Sequence, residues 1–379
     1  MKGRKVLIFS RDPGGTNAVM HLVAPLRSRG NEVAVYGKDA ALAIYRKFDM
    51  PCADVREAIP SGTQEETSEF VRKAQPDLIL TGTSSEDHTE RHLWAAAEKA
   101  GIASFAVLDQ WTNYRLRLIP EGADPKAGDA RSMRLILPSF FFIMDEFARK
   151  EMSALGINRE RLIVTGQPFF DYIRKMADGF SQPEIEDVRC ELTGGRGGIV
   201  FVFASQPIAG LHRQNGMAEN YWGYTEKTVL KSVVMCLEKL AAELAAKITL
   251  VIRLHPKDKP NAYQDVVFTT SSNSVKLIFD QETDSSLLLK AADLIIGMFS
   301  MVLLEAAIME TPFISVQIGL KRESPFILDR MGLAHSIITE VELEKTLRGI
   351  LKGEKRGKPK LKFEFGATER IIEYLEQYT

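Results

Sequence analysis

Cysteine is scarce: Cys52, Cys190 and Cys236 are all the chain contains, and none is paired at metal-ligand or redox spacing. So sparse and odd a set excludes a disulfide framework and suits a reducing compartment. Long hydrophobic runs are also missing. The basic start, Met1-Lys2-Gly3-Arg4-Lys5, leads into a strand-sized apolar run that Arg11-Asp12-Pro13-Gly14-Gly15 interrupts. That is too short for a signal peptide or a membrane span, and a cytoplasmic protein without a transmembrane segment is expected. An excess of charge of one sign is lacking too. The 49 Lys and Arg balance 50 Asp and Glu to a net charge of -1, so nothing calls for nucleic acid as a partner. The local basic stretches, Arg115 with Arg117 and Lys352 through Lys362, read as solvated faces. No strand-to-helix turn carries a full Gly-x-Gly-x-x-Gly, which argues against a dinucleotide cofactor.

What is present is an ordinary globular composition, 45% hydrophobic and 26% charged over 379 residues. That length exceeds what one hydrophobic core usually serves, so two domains are expected. Lys5 to Ser10 (KVLIFS) reads as a buried parallel strand, Asn17 to Arg29 as an amphipathic helix, and Glu32 to Tyr36 as the next strand. Together they form one βαβ unit. The cadence continues through strands at 78–81, 103–108, 133–137, 140–144 and 162–165. A polar, glycine-rich stretch from Gln182 to Gly198 reads as a connection with room for a short helix. A second series then runs through strands at 199–204, 248–253, 276–279, 293–296 and 313–316, with helices between them. The expected division is an N-terminal domain over 1–180, a linker over 181–198 and a C-terminal domain over 199–365. A last helix covers 366–379. Each domain is α/β and Rossmann-like, with a mostly parallel sheet.

In such sheets ligands collect beyond the carboxyl ends of the strands, where helix N-termini present free N–H groups. That rule selects five clusters. The first is Arg11, Asp12, Gly14, Gly15, Thr16 and Asn17. Its glycines permit close backbone approach to a ligand or serve a plain turn, and Asp12 is a candidate general base that Arg11 could instead neutralise. The second runs Gly82 to Glu90 and includes Glu86 and His88. Much of it could be helix capping, while His88 could exchange protons near neutral pH. In the third, Asp109 is an alternative base. Trp111 is either an acceptor wall or a loop anchor.

The fourth cluster joins Ser205 and Gln206 to Arg253, His255 and Lys257, groups suited to a diphosphate. The polar and aromatic insertion at 212–224, with Tyr221-Trp222, reads as a substrate-facing lid. The fifth is Gly297, Ser300 and Glu305. Gly297 allows a tight turn, and Ser300 caps a helix whose start could hold phosphate oxygens. Glu305 lies in an apolar stretch, where its carboxylate needs either vicinal ribose hydroxyls or a local cation. The C-terminal half shows no Asp-x-Asp at a strand end, so neither a metal nor a cofactor is called for.

These residues resemble the GT-B superfamily, in particular the branch of UDP-N-acetylglucosamine 2-epimerases and CDP-glycerol glycerophosphotransferase-like enzymes. Val164-Thr165-Gly166-Gln167-Pro168-Phe169-Phe170-Asp171 is similar to that branch's junction stretch, Arg253-Leu254-His255-Pro256 to its Arg-x-His-Pro, and Ser300 to Pro312 to its nucleotide-binding helix. The resemblance implies two Rossmann-like domains facing across a cleft, with the nucleotide sugar on the C-terminal one. There Glu305 would grip the ribose, and Ser300 with His255 would face the diphosphate. The N-terminal domain would present the acceptor and the base. Here Met301-Val302 follow Ser300 where the epimerases have a Gly-Gly pair, and their catalytic residues find no match. No membrane-binding element of the phosphotransferases stands out either. The expected activity is therefore glycosyl transfer from a nucleotide-sugar donor to a small-molecule or glycan hydroxyl, inverting and metal-independent. The alternatives are epimerisation or hydrolysis of a UDP-sugar, CDP-alcohol phosphotransfer, and non-catalytic nucleotide binding. Whether the chain forms a homo-oligomer stays open.

Overall fold

A computed structural model of the protein describes residues 3–123, 134–195, 198–214, 216–255, 258–259, 261–267, 274–354 and 363–378. The chain divides into two compact units. Unit 1 comprises Met1–Tyr172 with Phe363–Thr379, and unit 2 comprises Ile173–Lys362.

Unit 1 is built on a seven-stranded sheet. Its strands are β1 (Lys5–Ser10), β2 (Glu32–Gly37), β3 (Ala53–Asp54), β4 (Leu78–Thr81), β5 (Ala103–Val107), β6 (Phe140–Ile143) and β7 (Leu162–Val164), in the order β3-β2-β1-β4-β5-β6-β7. All neighbours pair in parallel. The sequence dictates this, because β1 is apolar on both faces. Val6 and Ile8 join one core while Leu7 and Phe9 join another, and none is more than 2% exposed. A strand buried on both sides needs helices above and below, the setting of a parallel sheet. The chain order reverses between β1 and β4, where a doubly wound sheet opens a crevice at its carboxyl edge.

Unit 2 repeats the plan with five parallel strands: β8 (Ile199–Ala204), β9 (Ile248–Arg253), β10 (Val275–Asp280), β11 (Leu294–Gly297) and β12 (Phe313–Ser315). Their order is β10-β9-β8-β11-β12, and the switch point falls between β8 and β11.

Three local expectations are corrected. The helix expected over 17–29 is two helices, Pro13–Met20 and Val23–Ser28. Pro25 explains the break, since its ring clashes with the carbonyl four residues back and it has no N–H to donate. Residues 134–137 form no strand; Ile136 N–H instead bonds the Leu118 carbonyl at 2.8 Å. The expected connection at 182–198 begins with a twelve-residue helix, Gln182–Thr193, started by a Ser181/Glu184 capping box. Arg189 ties that helix to the Ala291 and Gly198 carbonyls and to Asp293, so it belongs to unit 2.

The final helix, Ala367–Gln377, completes the unit 1 core with Ile371, Ile372 and Leu375. Asp171 accepts the Gly366 and Thr368 N–H groups at 2.7 and 2.9 Å and so caps its start. Among the described residues no helix is long and apolar enough to cross a membrane.

Candidate functional site

The carboxyl edge of unit 1 gathers Arg11, Asp12, Ser84, His88, Glu90 and Asp109. Asp12 precedes the Pro13–Met20 helix in extended backbone, yet its side chain makes no capping bond. Its carboxylate is left to other partners. It accepts from Ser84 Oγ at 2.9 Å and pairs with Arg11 Nη1 at 3.0 Å. Burial, with Asp109 nearby, holds its pKa above the usual carboxylate value despite those partners.

Asp109 is placed differently. It is 3% exposed and shares a buried cluster with Arg117, whose Nη1 donates to Asp109 Oδ1 at 2.8 Å and to Thr83 Oγ1 and the Thr83 carbonyl at 2.7 Å. Thr83 Oγ1 also reaches Asp109 at 3.1 Å. A carboxylate so enclosed is a strut, because exposing it would strand the Arg117 charge. Gly14 belongs to the same packing. A Cβ there would stand 2.0 Å from Asp109 Oδ2, and one on Gly15 would stand 3.2 Å from the Thr83 amide. The paired glycines let two turns touch, which accounts for them without an acceptor.

Trp111 is the loop anchor of its two readings: its indole donates to Asp145 at 2.8 Å and stacks on Phe170. Glu86 is largely exposed and stands 3.7 Å from Arg11. His88 precedes the Thr89–Ala100 helix, with Nδ1 buried and without a partner among the described residues, and burial lowers its pKa. Glu90, in the first turn of that helix, is 2% exposed, and neither carboxylate oxygen has a partner among the described residues. Burial, then Asp87 and Asp12, push its pKa up to about 8.

One residue of this edge was passed over in the sequence. Asp39 follows β2 with φ 53° and ψ -118°, the region that glycine supplies at the first central position of a tight hairpin turn. For a residue with a side chain this costs about 1–3 kcal/mol. Its carboxylate receives Arg11 Nε at 2.8 Å. The strand-end rule, applied to β2, would have found it.

In unit 2 the edge reads, strand by strand, Asp280, Arg253, Ala204, Gly297 and Ser315. Asp280 pairs with Arg253, Arg253 with Ala204, and Gly297 with Ser315, while Ile296 pairs with Phe203 one step back. Arg253 and Gly297 therefore end on the same side of the sheet, two strand spacings apart, roughly 10 Å. Ser300 caps the Met301–Ile308 helix by accepting Val302 N–H at 3.2 Å. Gln206, at the end of β8, accepts Phe299 N–H at 3.0 Å and fastens the switch point. Among the described residues the Ser300 and Met301 amides of the first turn make no hydrogen bond, and such helix-start N–H groups are the ones an anion can take.

Glu305 is half-buried on this helix. Among the described residues it has neither a hydrogen bond nor an ion pair, and desolvation alone pushes its pKa up to about 7. The local cation that could have explained it is missing among those residues.

The other members are more committed than expected. The Arg253 guanidinium is bonded to Asp280, which Thr283 also holds. Ser205 donates to Asp258 and accepts the His255 backbone N–H at 3.0 Å, while Tyr263 reaches the same carboxylate. Lys257 lies outside the described residues. The aromatic pair of the insertion, Tyr221 and Trp222, is held in place. Arg322 stacks 4.0 Å over Tyr221, Lys321 N–H bonds the Trp222 carbonyl, and Trp222 packs towards Phe299.

Comparison with known proteins adds two findings. Residues 144–356 match the family model described as CDP-Glycerol:Poly(glycerophosphate) glycerophosphotransferase. Solved structures match over nearly the whole chain. The UDP-GlcNAc 2-epimerase of Methanocaldococcus jannaschii matches with TM-score 0.64 at 17% identity, covering 98% of this chain and 99% of its own. The Neisseria meningitidis UDP-GlcNAc 2-epimerase bound to UDP-GlcNAc gives 0.63 at 16%, covering 98% and 100%. The Anabaena protein HepE in complex with UDP and glucose gives 0.61 at 15%, covering 98% and 99%. No curated protein matches in sequence. At these identities the likeness establishes the fold, two Rossmann-like α/β domains of the GT-B kind, as the sequence led us to expect.

Proposed function

The chain belongs to the CDP-glycerol:poly(glycerophosphate) glycerophosphotransferase family, and from that premise we propose that it is an enzyme acting on a nucleotide-activated substrate held by unit 2. The activated group is an alcohol phosphate, and its destination is a hydroxyl. One observation carries the nucleotide part. At the β8–β11 switch point one short helix carries two first-turn amides and a Glu305 carboxylate that have no partner among the described residues. The amides suit a diphosphate, and Glu305 accepts hydrogen bonds from vicinal ribose hydroxyls, which would satisfy a carboxylate that otherwise stays desolvated.

In the transfer, the acceptor oxygen bonds to the distal phosphorus, the bridging P–O bond breaks, and CMP leaves with the electron pair. The helix-start N–H groups stabilise charge on the phosphoryl oxygens. Asp12 is the base assigned to the acceptor proton, because it is accessible and more basic than an ordinary aspartate, whereas Asp109 is sealed in its ion pair. Family membership thus favours phosphoryl transfer over the glycosyl transfer expected from the sequence.

A second reading is epimerisation of a UDP-sugar. It is favoured by Asp12 and Glu90, two carboxyl groups on one strand edge in unequal environments, since that chemistry must both remove and return a proton. Nucleotide products separate the readings. With a panel of CDP-alcohols, nucleotide sugars and hydroxyl acceptors, phosphoryl transfer yields CMP. Glycosyl transfer yields a nucleoside diphosphate, and epimerisation isomerises the sugar nucleotide with no acceptor. Acceptor-dependent release of nucleoside diphosphate without CMP would overturn the phosphotransferase proposal.

A further inference from the structure

Opposite charges alternate along the carboxyl edge of unit 1, one strand end after another. Asp54 closes β3, and its carboxylate takes Arg56 Nε at 2.9 and 3.1 Å and Nη2 at 2.7 Å. Arg56 Nη1 stands 3.5 Å from Asp39 Oδ1, beyond β2. Asp39 Oδ2 receives Arg11 Nε at 2.8 Å, and Arg11 Nη1 reaches Asp12 at 3.0 Å, both beyond β1. Asp12 Oδ2 then takes Ser84 Oγ, beyond β4, at 2.9 Å. One guanidinium therefore stands between two carboxylates. The turn that presents Asp39 is fastened to the same strand end: Lys38 N–H bonds the Ser10 carbonyl at 3.2 Å and Ala41 N–H bonds the Arg11 carbonyl at 3.1 Å. Glycine would fit the backbone of position 39 without strain, so the aspartate is held there against its conformational preference.

We propose that Asp39 is a positioning residue for Asp12, acting through Arg11. By taking the Nε side of the guanidinium it orients the Nη1 side towards Asp12 and takes a share of its positive charge. Asp12 is left aligned but less stabilised as an anion than a full Arg11 pair would leave it, which keeps it a better proton acceptor. The other charged groups bearing on this pair are Asp109, Arg117 and Glu90 around Asp12, and Glu86 and Asp87 around Arg11. None of them shares the Arg11 Nε. The proposal rests on Asp12 as the base, so its test reads the Asp12 carboxyl directly.

In the full-length protein, carboxyl-13C aspartate labelling follows the titration of Asp12, assigned by the signal lost in Asp12→Asn. Asp39→Asn keeps the size and tolerates a positive φ, and Asp39→Gly removes charge and strain together. Both variants should lower the Asp12 pKa by about half a unit or more, as expected when a negative charge a few ångströms away is removed. Both should also move the acid limb of turnover to lower pH. Asp39→Gly should do so without loss of thermal stability, which separates positioning from a merely structural role. An Asp12 titration that is unchanged, or shifted upward, in both variants overturns the proposal. If the titration moves as expected while Asp12→Asn stays fully active, the positioning stands and the assignment of the base falls.

Discussion

Glu305→Gln should make the ligand-free protein more stable and the nucleotide complex weaker. Desolvation pushes the carboxyl pKa up to about 7, against the ordinary glutamate value of 4.5 when unfolded. The native state thus holds its proton through a range where the unfolded chain has lost it. Stability is unaffected below about pH 4.5, falls as pH rises towards 7, and the loss is complete above that. That difference corresponds to about 3 kcal/mol at pH 8. The neutral amide still needs hydration, so a net gain of about 1–3 kcal/mol is expected at pH 8 and under about 1 kcal/mol at pH 5. Urea midpoints of wild type and variant at the two pH values measure it, and calorimetry with CDP and UDP gives the affinities. The same substitution should weaken binding more than tenfold, from loss of a charged hydrogen-bond acceptor worth about 1.5–3 kcal/mol. A stability difference independent of pH would show that Glu305 does not titrate as described. Unchanged affinity in the stabilised variant would remove it from the site.

Three further outcomes follow from the packing. Gly14→Ala should cost about 3–5 kcal/mol by urea unfolding, because its Cβ would meet Asp109 Oδ2 at 2.0 Å and force open a buried ion pair; a change under about 1 kcal/mol would mean that Gly14 is not packed against Asp109. Glu90→Leu should stabilise by about 2–4 kcal/mol at pH 8 and less at pH 5, since it removes a buried carboxyl that has no partner among the described residues. Lost stability at both pH values would reveal a partner for that carboxyl. Asp171→Ala should speed amide exchange in Ala367–Gln377 about tenfold, the equivalent of losing a cap worth about 1–2 kcal/mol. Protection that stays at the wild-type level would show that the helix does not depend on this cap.

Strands such as Ile199–Ala204 and Ile248–Arg253 were legible because an apolar run bounded by turn residues has few other folds open to it. The switch points followed from the cadence of the elements. Glu305 was legible as well, being a charge in an apolar stretch with no neighbour in sequence to answer it. What sequence could not convey was which partner a charge finds. Asp109 is answered by Arg117, 8 residues on, and Arg253 by Asp280, 27 residues on across a strand pair. Both were read as available groups, and both are engaged. Gly14 and Gly15 were equally ambiguous, because a glycine demanded by close packing and one demanded by a ligand look alike. The strain at Asp39 left no trace in composition, since aspartate is common after strands.

Everything turns on whether the start of the Met301–Ile308 helix receives a nucleoside diphosphate. Titration of the isotopically labelled protein with CDP and UDP, followed through its amide resonances, answers that most directly. Saturable shifts centred on Phe299, Ser300 and Met301, absent with the nucleosides alone, are the predicted result. Saturable binding that leaves those amides unmoved, or no binding of any nucleotide, would contradict it.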